Sequence, residues 1–185
     1  MWPIGSYYNK PEVHGNHLNN ISIFEGSSLV KNFTYSARNP QQKFILPNAG
    51  IDTELLRVTV RNNQSSTASV TYTLQDNLFY AGSNSKIYYL QEVADERYEL
   101  FFGDGVFGQQ LEDQNYITVS YIATNGDSGN GMNQFRFNGR ITYTRDGAEY
   151  TVTSGISLLT TDYSSRGGDS IEGVESVRKF APKIY

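Results

Sequence analysis

Apolar and polar residues alternate with a period of two along much of the chain, and that period predicts β-strands. The cleanest run is Leu55 to Arg61, where Leu56, Val58 and Val60 fall on one face and Arg57, Thr59 and Arg61 on the other. Ser69 to Leu74 repeats it, with Val70, Tyr72 and Leu74 inward against Thr71 and Thr73, and the polar stretch Asn62 to Thr67 suits a hairpin loop between the two runs. Lys86 to Val93 and Arg97 to Phe102 flank the turn Ala94-Asp95-Glu96 and form the strongest hairpin, with the apolar content of central strands. Tyr116 to Thr124 follows the turn Glu112 to Asn115 and places Ile117, Val119 and Tyr121 opposite Thr118 and Ser120. Weaker strands are predicted at Gln134 to Phe137, Ile141 to Arg145, Tyr150 to Thr153 and Ile156 to Thr161, with Asp146-Gly147 as a turn.

The period changes only at the end. Ile171, Val174, Val177 and Ala181 recur at helical spacing, Asp169 and Glu172 stand in capping-box relation, and Pro182 marks the stop. The predicted fold is therefore mainly β: antiparallel sheets in a sandwich-like arrangement, glycine-rich connections, and one short C-terminal helix. Its predicted parts are an irregular N-terminal arm over 1–20, an antiparallel β domain over 21–125, a smaller β subregion and linker over 126–168, and the helix and tail over 169–185. The break near 125 rests on Gly126 to Gly131, three glycines in six residues, whose backbone entropy a strand interior does not recover.

Composition narrows the function classes. Only 18% of the residues are charged and the formal charge is −4, so no counterion-release drive toward nucleic acid exists. The chain has no cysteine, which excludes disulfides and thiolate metal sites. No run of about 18 apolar residues is present, so no membrane helix is predicted, and the amino terminus lacks the order of a signal peptide. Fourteen tyrosines against one tryptophan point to half-buried rings with a polar tip in water.

Candidate chemistry is thin. Gly103-Asp104-Gly105-Val106-Phe107-Gly108 has the G-x-G-x-x-G spacing after a strand, but a phosphate cradle needs a helix to open there, and Gln109 to Asn115 leads into a polar turn instead. The glycines are read as a bulged connection over which Val106, Phe107 and Leu111 pack. Gly126-Asp127-Ser128-Gly129 resembles the nucleophile segment of chymotrypsin-like proteases, yet only His14 and His17 are available as a base, and they sit in the irregular arm. Those histidines with Glu12 fall short of a metal site, and Asp104 and Asp127 lack calcium-loop spacing. No catalytic, cofactor-binding or metal-binding residue is predicted, and the chain is read as a non-enzyme.

The stretch from Lys86 to Gly131 carries a more specific signal. Phe102-Gly103-Asp104-Gly105-Val106-Phe107-Gly108, then Val119-Ser120-Tyr121, then Thr124-Asn125-Gly126 with Gly129-Asn130-Gly131, resembles the middle part of the baseplate wedge subunits of T4-like contractile-tailed phages, related to the J-like baseplate proteins. Ile45 to Leu74 matches more loosely, and Ile171 to Tyr185 resembles a helix of that family ahead of an A-P-x-x-Y segment. The resemblance implies a structural virion protein of the tail baseplate, assembled in the host cytoplasm. It also implies partners among other wedge and hub proteins, homodimeric contacts, rearrangement when the sheath contracts, and neither catalysis nor cofactor. The residues expected at contacts are the rings Tyr88, Phe107 and Tyr121, read as exposed, and the helix stripe Ile171, Val174 and Val177. The alternative is a carbohydrate-binding or adhesin-like β module of a tail fibre or surface protein, since aromatic strands and Asn/Asp loops also suit sugars.

Overall fold

The structure, a computed structural model, describes residues 22–76, 81–152, 154 and 164–169, together with the backbone of 12–14 and 17–19. The chain divides into two compact units between Thr124 and Asn125. In the first, β1 (Glu12–His14) and β2 (His17–Asn19) form a small antiparallel pair. The remaining strands there are β3 (Ser27–Thr34), β4 (Phe44–Ile45), β5 (Ile51–Arg61), β6 (Val70–Leu74), β7 (Ile87–Val93), β8 (Arg97–Phe102) and β9 (Tyr116–Ala123). They make one seven-stranded sheet in the order β3-β9-β5-β6-β7-β8-β4.

This sheet is rolled. In a flat sheet β3 and β4, six strand spacings apart, would be separated by roughly 29 Å. Instead the rings of Phe33 on β3 and Phe44 on β4 meet edge to face with centroids 5.5 Å apart, and Phe44 also contacts Phe102 on β8 at 5.5 Å. Phe102 in turn meets Tyr72 on β6 at 5.7 Å. The bend is helped by β5, whose register against β9 shifts between Asp52 and Arg57, an irregularity of the kind that coils a strand.

Leu46, Val58, Leu100, Ile117 and Val119 are fully enclosed by the roll. Each such side chain contributes about 1.5–3 kcal/mol by leaving water. The inward faces of β5 and β9 follow the alternation: Leu56, Val58 and Val60 on one, Ile117, Val119 and Tyr121 on the other, are all buried.

Several expectations are corrected. The sandwich-like pair of sheets is replaced by one sheet folded over on itself, and it is not antiparallel throughout, because β6 and β7 run parallel over Thr73–Ile87 and Leu74–Tyr88. β9 lies between β3 and β5, pairing with both. On β6 only Tyr72 is buried, while Val70 and Leu74 are exposed, since the Phe102 ring covers the centre of this five-residue strand alone.

In the second unit, Gly126–Gly129 forms a single 3-10 turn. Residues 164–169 zip along the glycine-rich segment: Gly131 N–H donates to the Ser165 carbonyl at 2.9 Å, Ser165 N–H to the Met132 carbonyl at 2.7 Å, and the Asn130 amide exchanges two bonds with the backbone of Gly168 at 2.7 and 3.0 Å. β10 (Thr142–Arg145) and β11 (Ala148–Thr151) form a hairpin closed by Asp146-Gly147, both with positive φ as a two-residue hairpin turn requires. Gln134 to Phe137 alternates but is not a strand, and no strand pairs with it among the described residues. The predicted strand Ile156 to Thr161 and the predicted C-terminal helix lie outside the described residues.

Candidate interaction surface

The outward face of the β7–β8 hairpin is built by its own alternation. Leu100 and Phe102 point into the roll, so Phe101 between them points out, and it faces Tyr89 in register across the hairpin. Ile87, two residues before Tyr89, is outward as well, yet buried. What covers it is the turn 103–108, since a Cβ built on Gly108 would lie 2.8 Å from Ile87 Cγ1. Gly108 has φ +97°, so any side chain there would meet both a strained backbone and Ile87. A Cβ on Gly103 would collide with the Gly108 backbone, which is how the two ends of the turn close on each other.

The turn is pinned on three sides. Gly105 N–H donates to the Gly108 carbonyl at 3.0 Å, Gly108 N–H to the Gly82 carbonyl at 3.1 Å, and Gln109 N–H to the Ser85 carbonyl at 2.8 Å. Asp104 Oδ1 accepts from the backbone N–H of Phe107 at 2.8 Å and of Val106 at 2.9 Å, and these amides, Phe107 first, hold its carboxyl below the usual carboxylate range. The amides that would have to cradle a phosphate are thus engaged by the turn's own carboxylate, and no helix opens after Gly108. The nucleotide reading fails on this geometry.

What the pinned turn offers outward is apolar. Val106 is 63% exposed and Phe107 45%, with Phe101 at 40% on the strand just before. The expectation that Val106 and Phe107 pack down over the connection is corrected: only Leu111 turns inward and is buried, because the Asp104 bonds roll the tip away from the sheet. Beside this face the Tyr89 hydroxyl is buried without a hydrogen-bond partner among the described residues.

Of the rings singled out as exposed contacts, Phe107 is exposed and the other two are not. Tyr88 lies inward on β7, and burial pushes its phenol up to about 12, a shift opposed by Arg57. Tyr121 is buried on β9, its hydroxyl donating to Asn48 Oδ1 at 2.6 Å. The alternation of β9 places Tyr121 inward with Ile117 and Val119. Ile171, Val174 and Val177 lie outside the described residues.

Sequence reasoning also missed Glu99, a buried carboxylate whose Oε2 is 3.8 Å from Lys43 Nζ, and Asn115. Asn115 closes the 112–115 turn by accepting from Glu112 N–H at 2.9 Å. Ser128 sits in the 3-10 turn of 126–129, and His14 and His17 pair in register between β1 and β2. Among the described residues no group of three or more His, Cys, Asp or Glu is placed to hold a metal ion, and no helix is long and apolar enough to cross a membrane.

The described residues form a rolled sheet whose pinned 103–108 turn presents Val106 and Phe107 outward. The model of the family described as bacteriophage baseplate wedge protein gp6, third domain, matches residues 29–127, and the chain belongs to that family. The match begins within β3 and ends three residues beyond Thr124, so it spans the large sheet. No curated protein matches the chain. The family is a structural one of the phage tail baseplate, not an enzyme family, and its members interact with other baseplate proteins.

Proposed function

We propose that this chain is a packing segment of a baseplate wedge subunit, holding wedge and hub neighbours together around the tail, with Phe101, Val106 and Phe107 as its contact tip. The observation that carries the role is the family match over 29–127. The contact tip is supported by physics: aromatic and aliphatic side chains that stay put when alone lose little entropy when covered, and the Asp104 and Gly82–Ser85 bonds supply that preorganisation. Homodimeric contacts, assembly in the host cytoplasm and a second contact through Ile171, Val174 and Val177 belong to the same reading, as does the relation to J-like proteins.

The test is co-expression of the chain with the other wedge and hub subunits of its own baseplate. Co-purification is expected, and Phe107→Ser is expected to weaken it by roughly 10- to 100-fold, the cost of losing one aromatic anchor. Absence of any association removes the role; association indifferent to Phe107→Ser and Val106→Ser removes the tip. Saturable binding on a glycan array in place of subunit binding would establish the adhesin reading.

A further inference from the structure

Three asparagines stand directly before a glycine, Asn125, Asn130 and Asn138, and all three lie beyond Thr124, in the second unit. Such a pair has a chemistry of its own. Glycine has no Cβ to keep its peptide nitrogen away from the preceding side chain, so that nitrogen can close on the asparagine amide carbon, Cγ. What separates the three is how much structure must open before the ring can close.

Two of the pairs are tied down. The Asn130 amide is occupied at both ends, its Nδ2 donating to the Gly168 carbonyl at 2.7 Å and its Oδ1 accepting from Gly168 N–H at 3.0 Å. The nitrogen that would attack it, that of Gly131, donates to the Ser165 carbonyl at 2.9 Å, so closure requires all three bonds to break. Asn125 heads the 126–129 turn with ψ 16°, and its carbonyl accepts from Ser128 N–H at 3.3 Å. Rotating that peptide toward the side chain would undo the turn. Asn138 and Gly139 are held by nothing comparable. Both are exposed, they lie in an unpaired stretch before β10, and neither the Asn138 amide nor Gly139 N–H has a hydrogen-bond partner among the described residues. The Phe137 ring packs against Gly139, where a Cβ would lie 2.7 Å from its Cζ, but that contact can shift with no hydrogen bond lost.

We infer that Asn138 is a site of spontaneous deamidation, a covalent change whose one co-reactant is water. Gly139 N attacks Asn138 Cγ and gives up its proton to solvent; the Cγ–Nδ2 bond breaks, and the departing nitrogen takes a proton from solvent and leaves as ammonia. Water then opens the five-membered imide at either carbonyl. Cleavage of the bond to Cγ gives aspartate, and cleavage of the bond to the main-chain carbonyl carbon gives isoaspartate. Either product places a negative charge two residues from Arg140, whose Nη2 and Nε donate to Thr151 Oγ1 at 2.7 and 3.0 Å across the base of the β10–β11 hairpin. The site is separate from the Phe107 tip and does not depend on the wedge role.

The test incubates the full chain, folded and in urea, in mildly alkaline buffer made with heavy-oxygen water. Digestion in ordinary water and mass spectrometry then follow each of the three asparagines. In the folded chain Asn138 is expected to convert ahead of Asn125 and at least roughly ten times faster than Asn130, whose clamp must open first. Both aspartate and isoaspartate are expected, each carrying one heavy oxygen. In urea the three rates are expected to fall within about threefold of one another, because the structure that separates them is gone. Ser165→Ala removes the hydroxyl that accepts from Met132 N–H at 2.9 Å and donates to the Gly129 carbonyl at 2.6 Å. It is expected to speed Asn130 at least about fivefold and leave Asn138 unchanged. Asn138 no faster than Asn130 in the folded chain, the same ratio persisting in urea, products without heavy oxygen, or an Asn130 rate indifferent to Ser165→Ala overturns the inference.

Discussion

Phe44 is the side chain on which the roll of the sheet is most exposed to experiment. It stands on the two-residue edge strand β4, yet it is buried, touching Phe33 from the opposite edge and Phe102 from the neighbouring strand, with Tyr35 at 6.5 Å. Truncating a buried phenylalanine to alanine costs about 3–5 kcal/mol through lost transfer energy and the cavity left behind. Two edge-to-face pairs, worth about 0.5–1.5 kcal/mol each beyond area, place Phe44→Ala in the upper part of that range. Phe44→Leu keeps most of the volume and removes the ring pairs, so about 1–2 kcal/mol is expected. For a chain of this size about 4 kcal/mol lowers Tm by roughly 8–16 °C. Urea unfolding followed by near-UV circular dichroism measures both variants. A loss under about 1 kcal/mol for Phe44→Ala would refute the reasoning, because a ring at the edge of an open, flat sheet is half in water and costs no more than that.

Three further outcomes follow from single features. Asp95 and Glu96 in the β7–β8 turn have φ of 62° and 57°, a conformation that costs a non-glycine residue about 1–2 kcal/mol, so Glu96→Gly is expected to raise stability by up to about 1 kcal/mol in denaturant unfolding despite glycine's added freedom in the unfolded chain. Gly108→Ala is expected to cost at least about 2 kcal/mol, from φ +97° and the contact with Ile87, and to broaden the amide signals of 103–108 in NMR spectra. Tyr88 has its folded pKa raised to about 12 against 10.0 in the unfolded chain, so its contribution is whole below pH 10 and is lost as pH climbs toward 12. Tyr88→Phe should flatten that alkaline loss of stability, measured by urea midpoints between pH 9 and about 11.5.

Alternation made β5 through β9 legible because these strands bury one face and wet the other, and the hairpins β5–β6 and β7–β8 were recoverable from the turn residues between them. β3 was hidden by Lys31, which occupies an inward-parity position and breaks the apolar period; at a sheet edge that position is only half enclosed, and the ammonium reaches the Phe33 ring. β4 is too short to have a period. The parallel β6–β7 pairing and the roll itself depend on which edges meet, and a period of two is the same for parallel, antiparallel, flat and curled sheets. In the candidate surface, the glycine spacing identified the turn, but the direction of its tip was set by two bonds to Asp104 that spacing does not encode. Tyr88 and Tyr121 follow strand parity inward, against the general tendency of tyrosine to keep its hydroxyl in water.

Side-chain footprinting with hydroxyl radicals, on the chain alone and after assembly with its wedge neighbours, reads the contact tip most directly. In the free chain Phe107 and Phe101 are expected to label, and Tyr88 and Tyr121 to stay protected. On assembly the labelling of Phe107 and Phe101 is predicted to fall several-fold while that of the exposed β6 residue Leu74 changes little. Unchanged labelling of Phe107 in an assembled wedge would contradict the account.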